Sequence, residues 1–545
     1  MVRMNEQLPF ISETSTLPLL SSMCRIRREE NFRVHGKTVS RPMLCLVLQG
    51  EGVLILNDQI HKARAYQLFV LEKGTTIEAA SRSGITECIL LSMNTVQLKQ
   101  VRGEWKMISD PCLPFQWSTG PMPVRHEQQM VARMEQLYTA YQGVQQEHFI
   151  NIHTQLHELL QYISENRLEA NHEKVDPALE RSIMYMHRFM GEGISMDQLA
   201  KIAGLTPSSY SRSFKKAKDM SPTDYLNRLR IEEAKQQLQQ DPCSIKDVAE
   251  SVGYGNEYYF NRKFKQAVGI SPSIYMKREQ LRVATASVLG LEDNLSSLGL
   301  EAIATLNGFT DQELSENEQQ HKLTLQFNKL RQSKPDLIIA DSHHEPYYDK
   351  LKSIAPTVVL EPVQDWKQIH SRIAELVGRE KQALDHFKQL EFRTLDVVKR
   401  LQQFFDHERV TLVEVKPPMI RLQGTINHPL SHLLYTELGL QPAQIAPPEH
   451  QWVDYPAERI PLLDTDHLFI HRLSMHPASE KLLRRLKQTS SWNRSPAVLG
   501  GNVHDISSWL MMSWTPSGRH RIMDELIHIA EQHAALSHAG LIGQF

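Results

Sequence analysis

The sequence is poor in cysteine, in long apolar runs and in net charge. Its 545 residues include five cysteines, none in a CxxC pair, which argues against a disulfide framework and a zinc knuckle. No run approaches the ~18 apolar residues that a membrane span requires. The N-terminus has Glu6 and polar residues where a signal peptide would be apolar. These absences predict a cytoplasmic protein with no membrane partner.

The near-zero net charge hides an uneven distribution. The formal net charge is −2, but residues 181–283 hold 17 basic and 11 acidic residues, a net charge of +6. The flanking segments, 1–180 and 284–545, carry −2 and −6. A basic block is where a polyanion would bind, so the middle of the chain is the place to look for a nucleic-acid interface.

Periodicity divides the chain into three predicted domains. Residues 1–170 begin with short alternating apolar stretches separated by turn residues, typical of a small antiparallel barrel, and end in two helical patterns. Residues 176–281 are helical throughout. Residues 284–545 alternate helices with apolar strands, which indicates α/β layers with mainly parallel strands. Within them a long helical pattern, 366–405, separates two groups of strands.

The helical segment contains an internal repeat of two copies. Each copy has a small residue within a first helix, a glycine at a tight turn and two aromatic residues four apart on a second helix. The glycines permit a turn with positive φ, and the aromatic pairs predict one buried face. The corresponding residues are Ala200, Gly204, Tyr210 and Phe214 in the first copy and Ala249, Gly253, Phe260 and Phe264 in the second.

The opposite face of each second helix is polar and cationic. This is the pattern of a helix that reads the major groove of double-stranded DNA. The candidate DNA-contacting residues are Ser208, Ser209, Ser211, Arg212 and Lys215 in the first copy and Asn256, Glu257, Tyr258, Asn261, Arg262 and Lys265 in the second.

A linking helix is predicted between the copies. Ser221 is its expected cap, Pro222 suits its first turn, and Asp241-Pro242 is expected to end it. About 18 residues would span ~27 Å, which could set the two reading helices about one DNA turn apart.

The repeat resembles the DNA-binding domain of the AraC/XylS family. The resemblance covers residues ~185–281 and includes Gly253, the run 260–265 and the Gly269-Ile270-Ser271-Pro272 turn of the second copy. The first copy departs from the family pattern at Asp219, where glycine is usual. The resemblance implies a sequence-specific transcription regulator, in which RNA polymerase is a partner and a homodimer is possible.

The first domain resembles the cupin-like sensor barrel of the same family, mainly in residues 46–56 with their turn at 49–52. Metal-binding cupins use a closely spaced histidine pair, and this sequence has no HxH. His35 and His61 are isolated, and His153 and His157 are expected on the solvated side of a dimerisation helix. No metal site is therefore predicted in this domain.

The third domain resembles the siderophore- and cobalamin-type periplasmic binding proteins, which have two α/β lobes joined by a long helix. The residues that carry this resemblance are the runs 297–300, 334–340, 352–358, 434–440 and 492–503. Such proteins are normally exported, so fusion to a DNA reader implies sensing rather than transport.

In open α/β sheets, ligands bind beyond the carboxyl ends of the strands. The cations, imidazoles and aromatic residues expected near those ends would attract an anionic, ring-containing ligand. The candidate ligand-binding residues are His343, His344, Lys416, Arg421, His471, Arg472, Trp452, Trp509 and Trp514. Of 25 histidines, 17 lie in this domain, and they are expected to be dispersed over its surface without binding a metal.

The complete architecture resembles the bacillibactin-responsive regulators of Bacillus. It implies a multidomain activator, composed of a cupin-like β-barrel, an all-α double helix-turn-helix and a two-lobed α/β domain. The expected effector is a ferric catecholate siderophore, with no other cofactor, and the expected targets are siderophore-uptake genes. Cobalamin, haem or a sugar remain alternative ligands. A siderophore esterase is a remote alternative, because the sequence has no GxSxG, Walker loop or HExxH motif.

Overall fold

The structure, a computed structural model, describes residues 14–28, 33–81, 85–101, 104–108, 117–142, 149–167, 177–240, 243–308, 315–363, 365–405, 407–472 and 477–538. The chain forms two compact units, residues 1–173 and 174–545. Among the described residues, no helix combines the length and the hydropathy needed to cross a membrane.

The first unit consists of two antiparallel sheets and two helices. Its strands are β1 (Thr14–Arg28), β2 (Arg33–Thr38), β3 (Met43–Gln49), β4 (Gly52–Leu56), β5 (Gln59–Ala63), β6 (Leu68–Leu71), β7 (Thr76–Ser81), β8 (Thr86–Val101), β9 (Glu104–Ile108) and β10 (Gly120–Met122). One sheet has the order β1-β8-β3-β6-β10, with β9 beside β8, and the other has the order β2-β7-β4-β5.

Alternation along the strands explains how these sheets pack. Val47 and Phe69 of the first sheet share a small core with Leu56 of the second. The other face of the first sheet, with Leu44 and Leu91, packs on helices α1 (Glu127–Gln142) and α2 (Phe149–Asn166). The predicted antiparallel β domain is confirmed. Sequence patterns alone did not identify β1 and β2.

In the helical region that follows, the structure describes seven α-helices. They are α3 (Pro177–Phe189), α4 (Met196–Ile202), α5 (Pro207–Lys218), α6 (Pro222–Gln237), α7 (Ile245–Ser251), α8 (Glu257–Val268) and α9 (Pro272–Met276). Helices α4 and α5 form the first helix-turn-helix, and α7 and α8 form the second. As predicted, the aromatic pairs of α5 and α8 are fully buried, and the turn glycines have φ values of 67° and 86°.

Side-chain caps fix where these helices begin. Ser195, Thr206, Ser244 and Asn256 each accept a hydrogen bond from the backbone N–H three residues later. Asp219, the departure from the family pattern, adopts the left-handed conformation at φ 55° that Gly269 adopts in the second copy. The first copy therefore keeps the same turn with a residue that tolerates that conformation less well than glycine.

The linking helix α6 begins as predicted, with Ser221 as its cap and Pro222 in its first turn. It is 16 residues long, about 24 Å at the usual rise per residue. Asp241 and Pro242, the predicted stop, lie outside the described residues.

The first lobe of the α/β region is a parallel sheet covered by helices. Its strands are β11 (Val283–Ala286), β12 (Thr305–Leu306), β13 (Leu337–Ala340) and β14 (Thr357–Val359), in the order β12-β11-β13-β14. Its helices are α10 (Leu291–Ser297), α11 (Glu316–Ser333) and α12 (Tyr348–Lys352).

The second lobe contains a mixed sheet of the order β18-β16-β15-β19-β20, with β17 beside β15. Strands β15, β17, β19 and β20 run parallel, whereas β16 is antiparallel to both β15 and β18. These strands are β15 (Arg409–Lys416), β16 (Met419–Gln423), β17 (Gln441–Pro442), β18 (Trp452–Tyr455), β19 (His467–Arg472) and β20 (Val503–Ile506).

Two helices, rather than the single long helix predicted over 366–405, connect the lobes. They are α13 (Trp366–Val377) and α14 (Glu380–Phe404), separated at Gly378, whose φ is 67°. A Cβ at this position would lie 2.6 Å from Cγ of Glu279, so a larger residue would collide with the end of the helical region. The remaining helices are α15 (Pro429–Ser431), α16 (Pro477–Lys487), α17 (Ser490–Asn493), α18 (Pro496–Leu499), α19 (Trp509–Met512) and α20 (Pro516–His538).

One hydrophobic core joins the second helix-turn-helix to the α/β region. Phe260 and Phe264 of α8 belong to the same buried cluster as Val358 of β14 and Ile373 of α13. The first helix-turn-helix has a separate core built around Tyr210. The two predicted reading helices thus differ in their attachment: among the described residues, those of the second are packed into the core of the α/β region, whereas those of the first belong to the separate core.

A buried histidine supports helix α13. His370 is fully buried, and its Nδ1 and Nε2 lie 2.8 Å from Oδ1 of Asn294 and 3.1 Å from Nδ1 of His386. Burial, and then the neighbouring His386, lower the pKa of His370 to about 3.

We predict that His370→Gln makes the second unit less sensitive to acid. Unfolded histidine takes up a proton below about pH 6.5, whereas folded His370 stays neutral down to about 3. Stability therefore falls as the pH drops below 6.5, and this one group accounts for ~1.4 kcal/mol between pH 7.5 and 5.5. Urea unfolding followed by tryptophan fluorescence should show a pH-dependent loss smaller by that amount. Exposed His343→Gln is the control, and an unchanged loss in His370→Gln would contradict the prediction.

Candidate functional site

The first reading helix, α5, presents its polar candidates to solvent. Ser208, Arg212 and Lys215 are exposed, and Ser209 and Ser211 are partly exposed. The Nε of Arg212 donates to the carbonyl oxygen of Ser208 at 3.4 Å, which leaves its terminal nitrogens directed away from this contact. The face opposite the buried aromatic pair is therefore polar and carries two cations, as the sequence predicts.

The second reading helix, α8, has a more aromatic surface. Tyr258 is 82% exposed, and Tyr259 is also exposed, with the Arg262 guanidinium 5.4 Å from its ring centroid. Asn256 caps the helix through its side-chain oxygen, so only its amide N–H groups remain to donate to a base. Glu257, Asn261 and Lys265 complete the candidate surface, and Tyr259 is an exposed residue that the sequence pattern did not single out.

Ion pairs hold this DNA-reading region on helix α13 of the α/β region. The Nζ of Lys235, on α6, donates to Oε1 of Glu375 at 2.8 Å. Glu375 also pairs with Arg372, whose Nη2 donates to the carbonyl oxygen of Val268 at 2.7 Å. Burial alone would raise the pKa of Glu375, but Lys235 and Arg372 hold it below its usual value. The carboxylate is therefore charged, and it connects the linking helix α6 directly, and the second reading helix α8 through Arg372, to helix α13.

A second contact lies at the end of the helical region. Arg278 is buried, its Nη2 donates to Oε1 of Glu380 at 2.7 Å, and its guanidinium lies 3.9 Å from the ring centroid of Tyr275. Glu380 is the first residue of α14. Both helices that join the two lobes are thus bound to the DNA-reading region.

Two cavities lie at this junction between the helical region and the α/β region. One, of about 630 Å³, lies between α6 and α13 and includes Lys235, Lys367 and Glu375 in its wall. The other, of about 880 Å³, lies between α8 and β14, and two predicted DNA contacts, Arg262 and Lys265, line it. The reading face of α8 therefore opens directly beside the first lobe.

Four of the nine candidate ligand residues are buried and are therefore not accessible to a ligand. His344 is buried, with its ring nitrogens bonded to Asp341 and to the N–H of Gly308. Trp509 is fully buried, and its Nε1 donates to Glu525. His471 and Trp514 are buried too. The sequence could not distinguish strand-end residues that face the cleft from those that fill a lobe.

The accessible candidates include a stacked pair on the second lobe. The guanidinium of Arg421 lies 4.3 Å from the ring centroid of Trp452, which is 39% exposed. Arg421 also forms two hydrogen bonds with Asp454, at 2.8 and 3.0 Å, and lies 3.7 Å from Glu414. Because its charge is already paired, Arg421 orients Trp452 more than it attracts an anion.

The other accessible candidates are Lys416, Arg472 and His343. Lys416 ends β15, and its positive charge contributes to the lowered pKa of Asp454, after the hydrogen bond from Arg421. Arg472 is paired with Glu480 and Asp505. His343 lies on the first lobe and is 62% exposed. Among these residues, the second lobe supplies the aromatic surface and most of the positive charge.

Some histidines of the α/β region are buried and contact one another, unlike the dispersed surface histidines expected from the sequence, whereas others, such as His343 and His432, are exposed. His370 contacts His386, and His467 contacts His504 with 3.1 Å between ring nitrogens. In the first unit, His157 faces the sheet rather than solvent, because its Nε2 lies 3.1 Å from the carbonyl oxygen of Pro18. Contacts between histidines far apart in sequence cannot be inferred from spacing.

Two family models match the chain. A helix-turn-helix domain model matches residues 199–278, and a periplasmic binding protein model matches residues 287–509. Their boundary falls where the helical region ends and β11 begins. The matched families agree with the helical and α/β regions of the structure.

Among curated proteins, the chain is similar to the HTH-type transcriptional activator Btr of Bacillus subtilis, with 23% identity over 89% of this chain and 93% of that protein. It is 35% identical to the uncharacterized HTH-type transcriptional regulator YobQ of B. subtilis over 22% of this chain and 46% of that protein. A solved structure, Staphylococcus aureus SirA complexed with staphyloferrin B, matches 46% of this chain and 93% of its own, with 18% identity and a TM-score of 0.37.

We predict a measurable coupling energy between Lys235 and Glu375. Removing one partner of this largely buried pair leaves Glu375 with only Arg372, or Lys235 with only Glu232, which costs ~1–3 kcal/mol. A double-mutant cycle with Lys235→Met and Glu375→Gln, measured by urea unfolding, should give a favourable interaction above ~1 kcal/mol.

The exposed pair Arg485–Glu458 provides the matched control. Its cycle, with Arg485→Met and Glu458→Gln, should give less than ~1 kcal/mol. Equal coupling energies for the two pairs would show that the contact between α6 and α13 does not stabilise the junction.

Proposed function

We propose that this chain, which joins an AraC-type helix-turn-helix domain to a periplasmic-binding-protein domain, acts as a transcription activator, rather than as an enzyme, and switches on siderophore-uptake genes when a ferric siderophore binds. The proposal places its action in the cytoplasm, where DNA and RNA polymerase are available. The observation that carries it is the shared core and ion pairing between the second helix-turn-helix and the binding domain.

DNA recognition is assigned to α5 and α8. Their exposed faces combine cations with hydrogen-bonding side chains, the chemistry that reads base edges in the major groove. Arg212 and Arg262 are the proposed base contacts, since arginine can bond two acceptors of guanine at once. Lys215 and Lys265 are the proposed phosphate contacts. The rest of the predicted set lies on the same two faces.

Ligand recognition is assigned to the accessible residues of the binding domain. Trp452, oriented by Arg421, offers a surface on which catecholate rings can stack, and Lys416 supplies positive charge beside it. His343 and Arg472 are the remaining proposed contacts. A catecholate is favoured over a sugar because the exposed groups include cations, which attract an anionic ligand and not a neutral one.

The signal is proposed to pass through α13. This helix connects the lobes, and its Arg372 and Glu375 bind α8 and α6. A change in the angle between the lobes would therefore move the second reading helix relative to the first, whose core is separate. Ligand would favour the arrangement in which both helices occupy successive turns of the groove, and that arrangement would recruit polymerase.

We predict that Arg262→Ala weakens operator binding. Loss of a base contact costs ~1–3 kcal/mol, or roughly 5- to 150-fold in affinity, and Arg212→Ala should behave similarly. Binding is measured by fluorescence anisotropy, with a duplex selected from a random pool by the full-length protein. Lys329→Ala, an exposed cation on α11, should leave affinity unchanged. Normal affinity in both arginine variants would overturn the assignment of the reading face.

We predict that an iron-loaded catecholate siderophore quenches tryptophan fluorescence and raises operator affinity, whereas iron-loaded hydroxamates, cobalamin, haem and sugars do not. Trp452→Ala should weaken ligand binding ~2- to 12-fold, the range expected for one aromatic–aromatic contact. Lys416→Ala should weaken binding of the anionic ligand as well.

Arg485→Ala, at the exposed pair used above, is the control and should bind normally. Glu375→Gln should bind the siderophore with unchanged affinity but show a smaller gain in operator affinity. A response to cobalamin, haem or a sugar alone would replace the proposed ligand, and a full response in Glu375→Gln would refute the proposed route of the signal.

A further inference from the structure

A cluster of histidines and a glutamate lies at the end of the second lobe opposite Lys416 and Arg472. Glu408 immediately precedes β15, His467 begins β19, His504 lies in β20, and His533 lies in α20. Lys416 and Arg472 are at the other ends of β15 and β19. The cluster is therefore separate from both the proposed ligand contacts and the DNA-reading face.

The contacts within the cluster are short. The Nε2 atom of fully buried His467 lies 2.6 Å from Oε2 of Glu408, and its Nδ1 lies 3.1 Å from Nε2 of His504. The ring of His533 packs edge-on against His467, with 5.0 Å between centroids. One ligand atom each of Glu408, His467 and His533 lie within 4.8 Å of one another. Three donors from separate segments thus converge on one point.

We propose that Glu408, His467 and His533 bind a divalent transition-metal ion of the zinc type. Two imidazole nitrogens and a carboxylate oxygen form a donor set typical of Zn²⁺, which binds each at about 2.0–2.2 Å. The ion would take the place of the proton between Glu408 and His467, so these two side chains must separate by a fraction of an ångström. Glu408 and His533 are only partly buried, which leaves room for a water molecule as fourth ligand.

His504 completes the site as a positioning residue. A histidine that binds a metal through Nε2 carries its proton on Nδ1 and donates it to a neighbour. The neighbour of His467 Nδ1 is Nε2 of His504. Metal binding would move the proton of His467 from Nε2 to Nδ1, from which it is donated to Nε2 of His504, while His504 carries its own proton on Nδ1. His504 would then fix the ring of His467 in the orientation that ligation requires.

The proposed ion would connect the C-terminal helix to the lobe. Helix α20 supplies His533, whereas Glu408 and His467 stand at the beginnings of two adjacent parallel strands. Elsewhere along its length, α20 contacts α14 through the pair Arg393–Asp524. Ligation would therefore add a further contact to those that α20 already makes and should raise the stability of the second unit.

The test uses the full-length chain, treated with a chelator and then titrated with ZnCl₂ against a competing chromophoric chelator. We expect one ion held more tightly than the background of surface histidines, together with a rise in the thermal unfolding midpoint. His533→Ala and Glu408→Gln should abolish both effects. His504→Ala should retain the ion with roughly 10- to 100-fold weaker affinity, the usual effect of losing an outer hydrogen bond.

His528→Ala is the matched control, because His528 lies on the same helix and contacts Gln532 rather than the cluster. It should keep the tight ion and the thermal shift. Substitution of Co²⁺ for Zn²⁺ should give the visible absorption of a low-coordinate site in the parent chain, in His528→Ala and, at higher Co²⁺ concentration, in His504→Ala, but not in His533→Ala or Glu408→Gln. The proposal is overturned if the parent chain holds no tight ion, or if His528→Ala and His533→Ala lose it equally. The chelator-treated protein is first shown to be folded, so that either result reports on metal binding and not on unfolding.

Discussion

The carboxylate of Glu375 is the contact on which the organisation of the second unit depends. It accepts from Lys235 of the linking helix and pairs with Arg372, which in turn donates to the end of the second reading helix. Around it, apolar residues of the DNA-reading region and of α13 form one core. A charged group in this position requires both partners, because a largely buried carboxylate without them would be strongly destabilising. The junction therefore favours one relative placement of reader and binding domain.

Much of the architecture could be predicted from local pattern. The repeated glycine turns, the aromatic pairs four residues apart and the Ser-Pro helix starts each depend on residues close in sequence, and the structure confirms them. The same holds for the apolar strands of the α/β region, whose β-branched runs are buried on both faces. Asp219 departs from the family pattern, but the structure keeps the same left-handed turn at this position. Local pattern therefore predicted the turn even where the usual glycine is replaced.

The accessibility of the candidate ligand residues was harder to predict, because a residue at the end of a strand can face either the cleft or the interior of a lobe. His344 follows a strand as expected but is buried, and so is Trp509, which was predicted as an aromatic wall of the cleft. Arg421 reaches Trp452 through the antiparallel pairing of β16 with β18. That pairing was not part of the predicted parallel sheet. The contacts of His370 with His386 and of His467 with His504 likewise join separate elements. Long-range pairing and the direction of a side chain decide these features, and neither leaves a periodic signal in the sequence.

The linking helix α6 packs into two hydrophobic cores, which contact different sides of the helix. Leu226 and Leu229 pack with the first reader, whereas Ile231, Ala234 and Leu238 belong to the core shared with the binding domain. At 100° per residue, these two stripes are turned roughly 140° apart around the helix axis. Because a hydrogen-bonded helix resists twisting, a rotation imposed on one of these two sets of residues is transmitted along α6 to the other set. A movement of one reading helix would therefore change the angle of rotation of the other about the axis of α6 more than the distance between them. Binding would then depend on the helical twist of the DNA duplex.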